Sequence, residues 1–103
     1  MLEGLKVVEL ATYIAAPGAA GILADWGAEV VKIEPPEGDP IRLFFESIGA
    51  DTGANPVFEL DNRGKRGMAL DLSKPEGRDA LLKLLAGADV FLTNLRPGAL
   101  ARA

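Results

Sequence analysis

The hydrophobic positions of this chain follow two periods, one typical of strands and the other typical of helices. A β-branched apolar run at 7–10 predicts a buried parallel strand. From about Pro17 the apolar residues recur at helical spacing as far as Trp26, and Gly27 ends the pattern. A second strand is predicted at 29–33, before two prolines. This order forms a β-α-β unit, whose strands should be parallel and joined by a right-handed crossover.

The second half of the chain repeats this order of elements. A strand is predicted at 68–72, and Ser73–Glu76 matches the S-x-x-E capping box, in which each side chain bonds the backbone amide of the other residue. The predicted helix that follows carries leucines at helical spacing and ends at Gly87. A fourth strand is predicted at 90–93, and Pro97 should begin another helix. Strands that alternate with helices predict an α/β fold with a doubly wound parallel sheet.

Residues 35–67, termed the excursion, do not follow this alternation. They hold four prolines and five glycines together with the apolar run Leu43-Phe44-Phe45. A connection of about thirty residues is far longer than the roughly two to six that usually join α/β elements. The excursion is therefore either a functional segment over the strand ends or an arm that packs on a partner. In the isolated chain we expect it to expose an apolar patch and to cause self-association.

Composition narrows the chemistry that the chain can perform. The 103 residues include 11 Lys and Arg and 15 Asp and Glu, which gives a formal net charge of −4. The chain has no cysteine and no histidine. This excludes a disulfide framework, a thiolate zinc site, a cysteine nucleophile and a Ser-His-Asp triad built from this chain. Catalysis would have to use carboxylates, Lys, Arg, hydroxyls or backbone amides.

Charge and hydropathy also argue against two kinds of partner. The acidic balance disfavours general binding to nucleic acid. No apolar run approaches the roughly 20 residues that span a bilayer, and the N-terminus lacks the basic residues of a signal peptide. We therefore predict a cytoplasmic protein that binds neither nucleic acid nor membranes.

Ligands of open α/β sheets bind outside the carboxyl ends of the strands, near the point where the strand order reverses. Four segments of this chain should converge there: 11–18, 34–42, 72–75 and 94–98. The first segment lacks the G-x-G-x-x-G motif, and the spacing of Gly18 and Gly21 fits helix packing as well as ligand binding. A dinucleotide-dependent dehydrogenase is therefore disfavoured.

Two polar motifs remain as candidates for ligand contact. The basic segment Arg63–Arg66 contains a glycine that would let the backbone approach an anion, so it could bind a phosphate or a partner, or form only a solvated loop. Asn94–Gly98 follows the last predicted strand and precedes a helix N-terminus. Asn94 could contact a polar ligand there, or could serve only as a helix cap.

Several motifs resemble those of the family III CoA-transferases, in the same order along the chain. They are Leu2–Leu10, Leu23–Pro35, Gly38–Pro40, Asn62–Arg66, Leu70–Leu72, Pro75–Gly77, Ala88–Val90 and Asn94–Gly98. This family also includes α-methylacyl-CoA racemase and carnitine CoA-transferase. The resemblance covers essentially the whole chain. It implies that residues 1–103 are the N-terminal, incomplete portion of a Rossmann-like domain that binds CoA.

The resemblance also implies which residues contact CoA. By position, the CoA-binding segments of the family correspond to Tyr13, Ile14, Ala15, Leu70, Asp71, Leu72, Ser73, Asn94, Leu95, Arg96 and Arg102. Formyl-CoA transferase has an arginine after the glutamate of the second strand, where this chain has Pro35, so one phosphate contact is lost. The candidate replacements are Arg42 and Lys65, and Arg63 and Arg66 are further possible phosphate contacts.

In function, the resemblance implies an acyl-CoA:carboxylate CoA-transferase. Such an enzyme acts on CoA thioesters and carboxylic acids without a metal or prosthetic group, and its two subunits interlock as a homodimer. The nucleophilic aspartate of the family forms a mixed anhydride and then an enzyme-bound thioester, and it would lie beyond Ala103. The chain is therefore expected to be a fragment or a truncated reading frame that is inactive alone. The alternatives are an acyl-CoA racemase of the same family and a non-catalytic α/β binding or assembly module.

Overall fold

The computed structural model describes residues 1–12, 14–43 and 62–97. Its elements are β1 Lys6–Leu10, α1 Ala15–Asp25, β2 Glu29–Glu34, a 3₁₀ turn Pro40–Leu43, β3 Arg66–Ala69, α2 Pro75–Ala86 and β4 Val90–Thr93. The four strands form one parallel sheet in the order β3-β2-β1-β4. The strand order therefore reverses between β1 and β4, as in a Rossmann-like sheet, and the predicted α/β class is confirmed.

Alternation along the strands gives the sheet two buried faces. Val7 and Val30 pack with Ala20 of α1 on one face. On the other face Val8 and Ile33 pack with Leu81 of α2. Burying such side chains stabilises the fold by about 1.5–3 kcal/mol each, so these two small cores hold one helix on each side of the sheet.

The predicted bounds of β1, β2 and β4 agree with the structure, whereas those of β3 were wrong. The structure places β3 at Arg66–Ala69, paired with β2 from Val31 to Glu34. All four residues of this edge strand are exposed, so no burial pattern marks it in the sequence. Leu70 and Leu72, which suggested the later strand, instead pack from a loop onto the α2 face. The connection between β2 and β3 accordingly covers residues 35–65.

The predicted capping box at the start of α2 was also wrong. Lys74 occupies the N-cap position, with extended backbone angles and no side-chain hydrogen bond, and Pro75 follows at the first helical position. The Ser73 hydroxyl donates to the Asp71 carboxylate instead of accepting from a helix amide. A hydrogen bond to a charged acceptor is stronger than one to a neutral group, which explains why the hydroxyl leaves the helix end.

Two further expectations fall mostly outside the described residues. These are the apolar run Leu43-Phe44-Phe45 of the excursion and the helix that should begin at Pro97. Among the helices that the structure does describe, none is long and apolar enough to cross a membrane.

Candidate functional site

All four parallel strands end on the same side of the sheet. This side, where the carboxyl ends of the strands lie, is termed here the carboxyl edge, and it is distinct from the lateral edge that β3 forms. The loops at this edge begin at Ala11, Pro35, Leu70 and Asn94. β1 lies inside the described sheet and β4 at its outer side, and the two pair from Val7 and Val90 to Leu10 and Thr93. The four segments that were predicted to converge therefore follow strands that end at the same edge.

Asn94 joins the loop after β4 to the loop after β1. Its side-chain Oδ1 accepts a hydrogen bond from the Thr12 backbone amide at 3.1 Å, and its Nδ2 donates to the Thr12 carbonyl at 2.8 Å. The Thr93 hydroxyl donates to the Leu10 carbonyl at 2.6 Å and accepts from the Leu95 amide at 3.1 Å. The Asn94 amide thus extends the β1–β4 pairing past the end of the strands, a role beyond that of a simple helix cap.

Arg96 lies two residues beyond this pairing, and its side chain is exposed at the carboxyl edge. Ile14 and Ala15, at the start of α1, are also exposed. Because Ile14 has no side-chain oxygen, the first turn of α1 begins without a side-chain cap. Tyr13, Arg102 and the side chain of Arg42 lie outside the described residues.

Four charged side chains are buried together on the α1 face of the sheet, close to the carboxyl edge. This ionic cluster consists of Glu9, Lys32, Asp39 and Lys65, whose side chains are 0–2% exposed. Glu9 and Lys32 are direct neighbours in the β1–β2 register. Because burying an unpaired charge costs several kcal/mol, such a cluster is tolerated only when its charges are paired.

The ammonium groups and carboxylates of the ionic cluster alternate in space. Lys32 Nζ lies 2.8 Å from Glu9 Oε2 and 3.0 Å from Asp39 Oδ2. Lys65 Nζ lies 2.5 Å from Glu9 Oε1 and donates to Asn62 Oδ1 at 2.7 Å. The formal charges of the four side chains sum to zero, so each cation has an anion to offset its loss of water.

The ionic cluster was missed from the sequence, which assigned Lys65 to a segment that binds a phosphate or a partner or forms a solvated loop. One signal could have found it. In β1 and β2, Glu9 and Lys32 alternate in step with Val7 and Val30, which places both charged residues on the buried α1 face. Charged residues at core positions of neighbouring strands predict a buried ion pair.

The loop after β2 is fixed by hydrogen bonds of its acidic residues. Glu34 Oε2 accepts from the Asp39 backbone amide at 2.6 Å, and Asp39 Oδ1 accepts from the Ile41 amide at 3.0 Å. Gly38 has φ +88°, a left-handed conformation that glycine adopts without strain. Gly38–Pro40 is thus more than a surface turn, because it brings Asp39 into the ionic cluster.

A cavity of about 370 Å³ lies between this loop and β3. It is lined by Glu34–Gly38 on one side and by Gly67–Ala69 on the other. The Leu70 backbone amide, directly after this lining, donates to the Glu34 carbonyl at 2.8 Å. The cavity therefore opens beside Leu70–Ser73, one of the segments that the resemblance assigns to CoA.

The loop after β3 is held against the first turn of α2. Arg78 Nε donates to the Leu72 carbonyl at 2.9 Å, and the Asp71 carboxylate accepts from the Ser73 amide at 3.0 Å and from the Ser73 hydroxyl. The Ser73 hydroxyl and then its backbone amide hold the pKa of Asp71 below its ordinary value, with a smaller contribution from the charge of Lys74. Asp71 therefore stays ionised and orders this loop.

Removing the Ser73 hydroxyl should raise the pKa of Asp71. In Ser73→Ala the largest cause of the lowered pKa is gone, and carbon-detected NMR titration of the Asp71 carboxyl should show the increase. Because the folded-state pKa is lowered, the ionised carboxylate stabilises the fold above its unfolded-state pKa. That contribution is lost as the pH falls through the folded-state pKa, so the stability difference between wild type and variant should shrink in acid.

Glu3 provides an internal control for this titration. Its pKa is also lowered, chiefly by a hydrogen bond from the N-terminal ammonium group, and should be the same in both proteins. An Asp71 pKa that does not change in Ser73→Ala would contradict the assigned cause.

The structure does not bring the basic segment together at the carboxyl edge. Arg63 pairs with Asp25 at the far end of α1, through contacts of 2.9 Å from Nε and 2.6 Å from Nη2. Lys65 belongs to the buried ionic cluster, and the exposed Arg66 begins β3 at the opposite edge of the sheet. Phosphate contacts by these three residues stay predictions, and the ion pairs of Arg63 and Lys65 disfavour them.

In the part of the chain that the structure describes, no three His, Cys, Asp or Glu residues are grouped to hold a metal ion. The chemistry that this edge offers is that of backbone amides, hydroxyls, an amide side chain and an exposed arginine.

Comparison with known proteins gives consistent matches along the chain. The sequence model of CoA-transferase family III matches residues 2–103. The (R)-2-hydroxy-4-methylpentanoate CoA-transferase of Clostridioides difficile is 51% identical over 105 residues, which cover 99% of this chain and 26% of that protein. The cinnamoyl-CoA:phenyllactate CoA-transferase of Clostridium sporogenes is 44% identical over 104 residues, which cover 99% of this chain and 25% of that protein.

A solved structure has the same fold. A CAIB/BAIF family protein from Brucella suis superposes with a TM-score of 0.87 at 39% sequence identity, over 98% of this chain and 27% of that chain. The chain spans about a quarter of the length of the curated relatives that it matches. Its sheet thus corresponds to part of a larger domain in these proteins.

Proposed function

We propose that the carboxyl edge binds coenzyme A, because this chain belongs to CoA-transferase family III. The proposed enzyme moves CoA from an acyl-CoA thioester to a carboxylic acid. The two curated relatives described above carry names of this reaction type. Their names favour transfer over racemisation, and over a binding module without chemistry of its own.

The pairing of Asn94 with Thr12 is the observation that carries this proposal. It holds the loop after β1 against the loop after β4 at the place where the strand order reverses. Open α/β sheets bind their ligands in the crevice at this position. The exposed Arg96 supplies a cation beside that crevice, which suits a ligand with phosphate groups.

The start of α1 adds a second feature that favours an anion. Helix N-termini carry a partial positive charge and several backbone amides that have no partner within the helix. α1 begins at this edge with Ile14 and Ala15, and the family resemblance assigns both residues to the CoA site. We propose that a CoA phosphate lies between this helix start and Arg96.

The cavity beside β3 would hold another part of the same ligand. It lies between the loops after β2 and β3 and next to Leu70–Ser73. We propose that it receives the adenosine end of CoA, because that end is a flat nucleoside with its own phosphate. The full set of proposed contacts is Tyr13, Ile14, Ala15, Leu70, Asp71, Leu72, Ser73, Asn94, Leu95, Arg96 and Arg102.

The role proposed for this chain is to hold CoA, while the nucleophile is supplied elsewhere in the protein. By family resemblance the nucleophile is an aspartate outside these residues. It would first form a mixed anhydride with the acyl group and then an aspartyl-CoA thioester. Neither species requires a metal or a prosthetic group. The interlocked homodimer and the cytoplasmic location stay predictions of the resemblance and of the composition.

The names of the relatives also suggest a class of acid. Both 2-hydroxy-4-methylpentanoate and phenyllactate are 2-hydroxycarboxylates with a bulky apolar substituent. We propose that the complete protein acts on acids of this class. The test incubates the complete encoded protein with an acyl-CoA donor and a panel of 2-hydroxy and unsubstituted acids, and follows new thioesters by mass spectrometry.

A new acyl-CoA that forms only when an acceptor acid is present would support the proposed transfer. Epimerisation of the donor without an acceptor would indicate a racemase. CoA binding with neither reaction would indicate the non-catalytic module.

Reversing the charge of Arg96 should weaken CoA binding by about tenfold or more, the effect of losing one charge-assisted phosphate contact. Isothermal titration of CoA into the complete Arg96→Glu protein measures this change. Lys83→Glu is the matched control, because it alters the net charge equally in the last turn of α2, at the opposite edge of the sheet. Equal CoA affinity in the two variants would remove Arg96 from the site.

A further inference from the structure

The two lysines of the ionic cluster contact the chain at either end of the loop between β1 and α1. Lys32 Nζ donates a hydrogen bond to the Ala11 carbonyl at 3.2 Å, just past the end of β1. Lys65 Nζ donates to the Pro17 carbonyl at 2.8 Å, in the first turn of α1. Residues 12–16 lie between these two anchor points. Both ends of this loop are therefore attached to buried ammonium groups.

The same lysines connect this loop to the two ends of the excursion. Lys32 is paired with Asp39, which lies five residues after β2. Lys65 itself is the last residue before β3. Glu9 of β1 accepts a hydrogen bond from Lys32 at Oε2 and forms an ion pair with Lys65 at Oε1. A single cluster of four side chains thus joins the start of the excursion, its end and the loop after β1.

This arrangement has little freedom to rearrange. The side chains of the ionic cluster are almost completely shielded from water, and electrostatic interactions are stronger in such surroundings than at the surface. A lysine that left its position would leave a buried carboxylate with one cation fewer, which is strongly unfavourable. The carbonyls of Ala11 and Pro17 are therefore held by donors that cannot easily turn away.

We propose that Lys65, together with Lys32, is a positioning residue that holds the β1–α1 loop in the conformation that receives CoA, and that makes this conformation depend on both ends of the excursion. The inference rests on the proposed function, because it takes Ile14 and Ala15 of that loop as CoA contacts. It goes further by assigning a role to buried residues that do not touch the ligand.

A double substitution can separate this role from simple charge balance. Lys65→Met removes the cation beside Glu9 and the donor to Pro17 and to Asn62. Combining it with Glu9→Gln restores a neutral cluster of Lys32 and Asp39 but leaves the Pro17 carbonyl without the Lys65 donor. Stability should therefore recover in Glu9→Gln/Lys65→Met, whereas positioning of the loop should not.

The measurements are the CoA dissociation constant by calorimetry, the unfolding midpoint in denaturant and the hydrogen exchange of the loop amides, all on the complete protein. We expect the double variant to unfold at a higher denaturant concentration than Lys65→Met. Its CoA dissociation constant should be about tenfold or more above that of Glu9→Gln alone. The loop amides should exchange faster in both Lys65 variants. Lys83→Met, an exposed lysine of α2, should leave all three measurements unchanged.

Equal CoA affinity in the double variant and in Glu9→Gln would overturn the inference, because Lys65 would then act only through charge balance. Unchanged loop exchange would overturn it as well. Failure of the wild-type protein to bind CoA would instead overturn the proposed function, and loop exchange would still decide whether Lys65 holds the loop.

Discussion

Gly77→Ala should destabilise the protein by about 3 kcal/mol or more, the upper end of the usual cost of overpacking. An added Cβ at this buried position in the first turn of α2 would lie 2.0 Å from the Asp71 carbonyl oxygen and 2.7 Å from its carbon. Both are backbone atoms, so no side-chain rotation can relieve the clash. The better helix propensity of alanine stabilises the helix by only about 1 kcal/mol relative to glycine, which does not offset the clash. The helix and the loop after β3 must therefore separate.

Gly87→Ala is the matched control for this substitution. Gly87 lies at the other end of α2 with a negative φ of −100°, and an added Cβ would have its nearest neighbour, the Leu84 carbonyl, at 4.0 Å. Urea denaturation followed by circular dichroism should give a near wild-type midpoint for Gly87→Ala and a large loss for Gly77→Ala. Stabilities of the two variants within about 0.5 kcal/mol of each other would contradict the close contact between Gly77 and Asp71.

The second large effect is expected from Lys32→Met, which should cost about 3–5 kcal/mol, the usual result of breaking a buried ion pair from one side. Lys32 is the cation between Glu9 and Asp39, and methionine has a similar length without the charge. Lys65 would then be the remaining cation of the ionic cluster beside two carboxylates. The turn at Asp39 should loosen first, because it loses the ion pair of Asp39 with Lys32 and keeps the hydrogen bond from the Asp39 amide to Glu34.

The unfolding free energy of Lys32→Met is best compared with that of Lys83→Met. The second variant makes the same replacement at an exposed position of α2 and should stay within about 0.5 kcal/mol of wild type. Equal stability of the two variants would show that the ionic cluster contributes no net stabilisation. Adding Asp39→Asn to Lys32→Met should recover part of the loss, since one of the two carboxylates that lost the Lys32 cation is then neutral.

The convergence of the four loops could be predicted from the sequence, but the contacts between them could not. The sequence pattern places the four loops at one edge, because parallel strands that alternate with helices must end on the same side of a sheet. The pairing of Asn94 with Thr12 could not be read in this way. It joins residues 82 positions apart, and an asparagine just after a strand is equally compatible with a turn or a helix cap.

The sequence pattern alone predicts the elements whose apolar side chains are buried at regular intervals. β1, β2 and both helices follow from local periodicity, because burial on a sheet face or a helix stripe repeats every two or every 3.6 residues. β4 follows from its apolar run, although its residues are exposed or half-buried. The common direction of β1 and β2, and of β3 and β4, follows from the helix between the two strands of each pair.

The position of β3 and the formation of the ionic cluster depend on tertiary contacts. β3 is an exposed edge strand, so hydrogen bonding to β2 rather than burial fixes its bounds. Glu9, Lys32, Asp39 and Lys65 come from four separate segments, and each is stable in the interior only when the others are in place. The burial of a charge depends on distant partners, which a local pattern does not record.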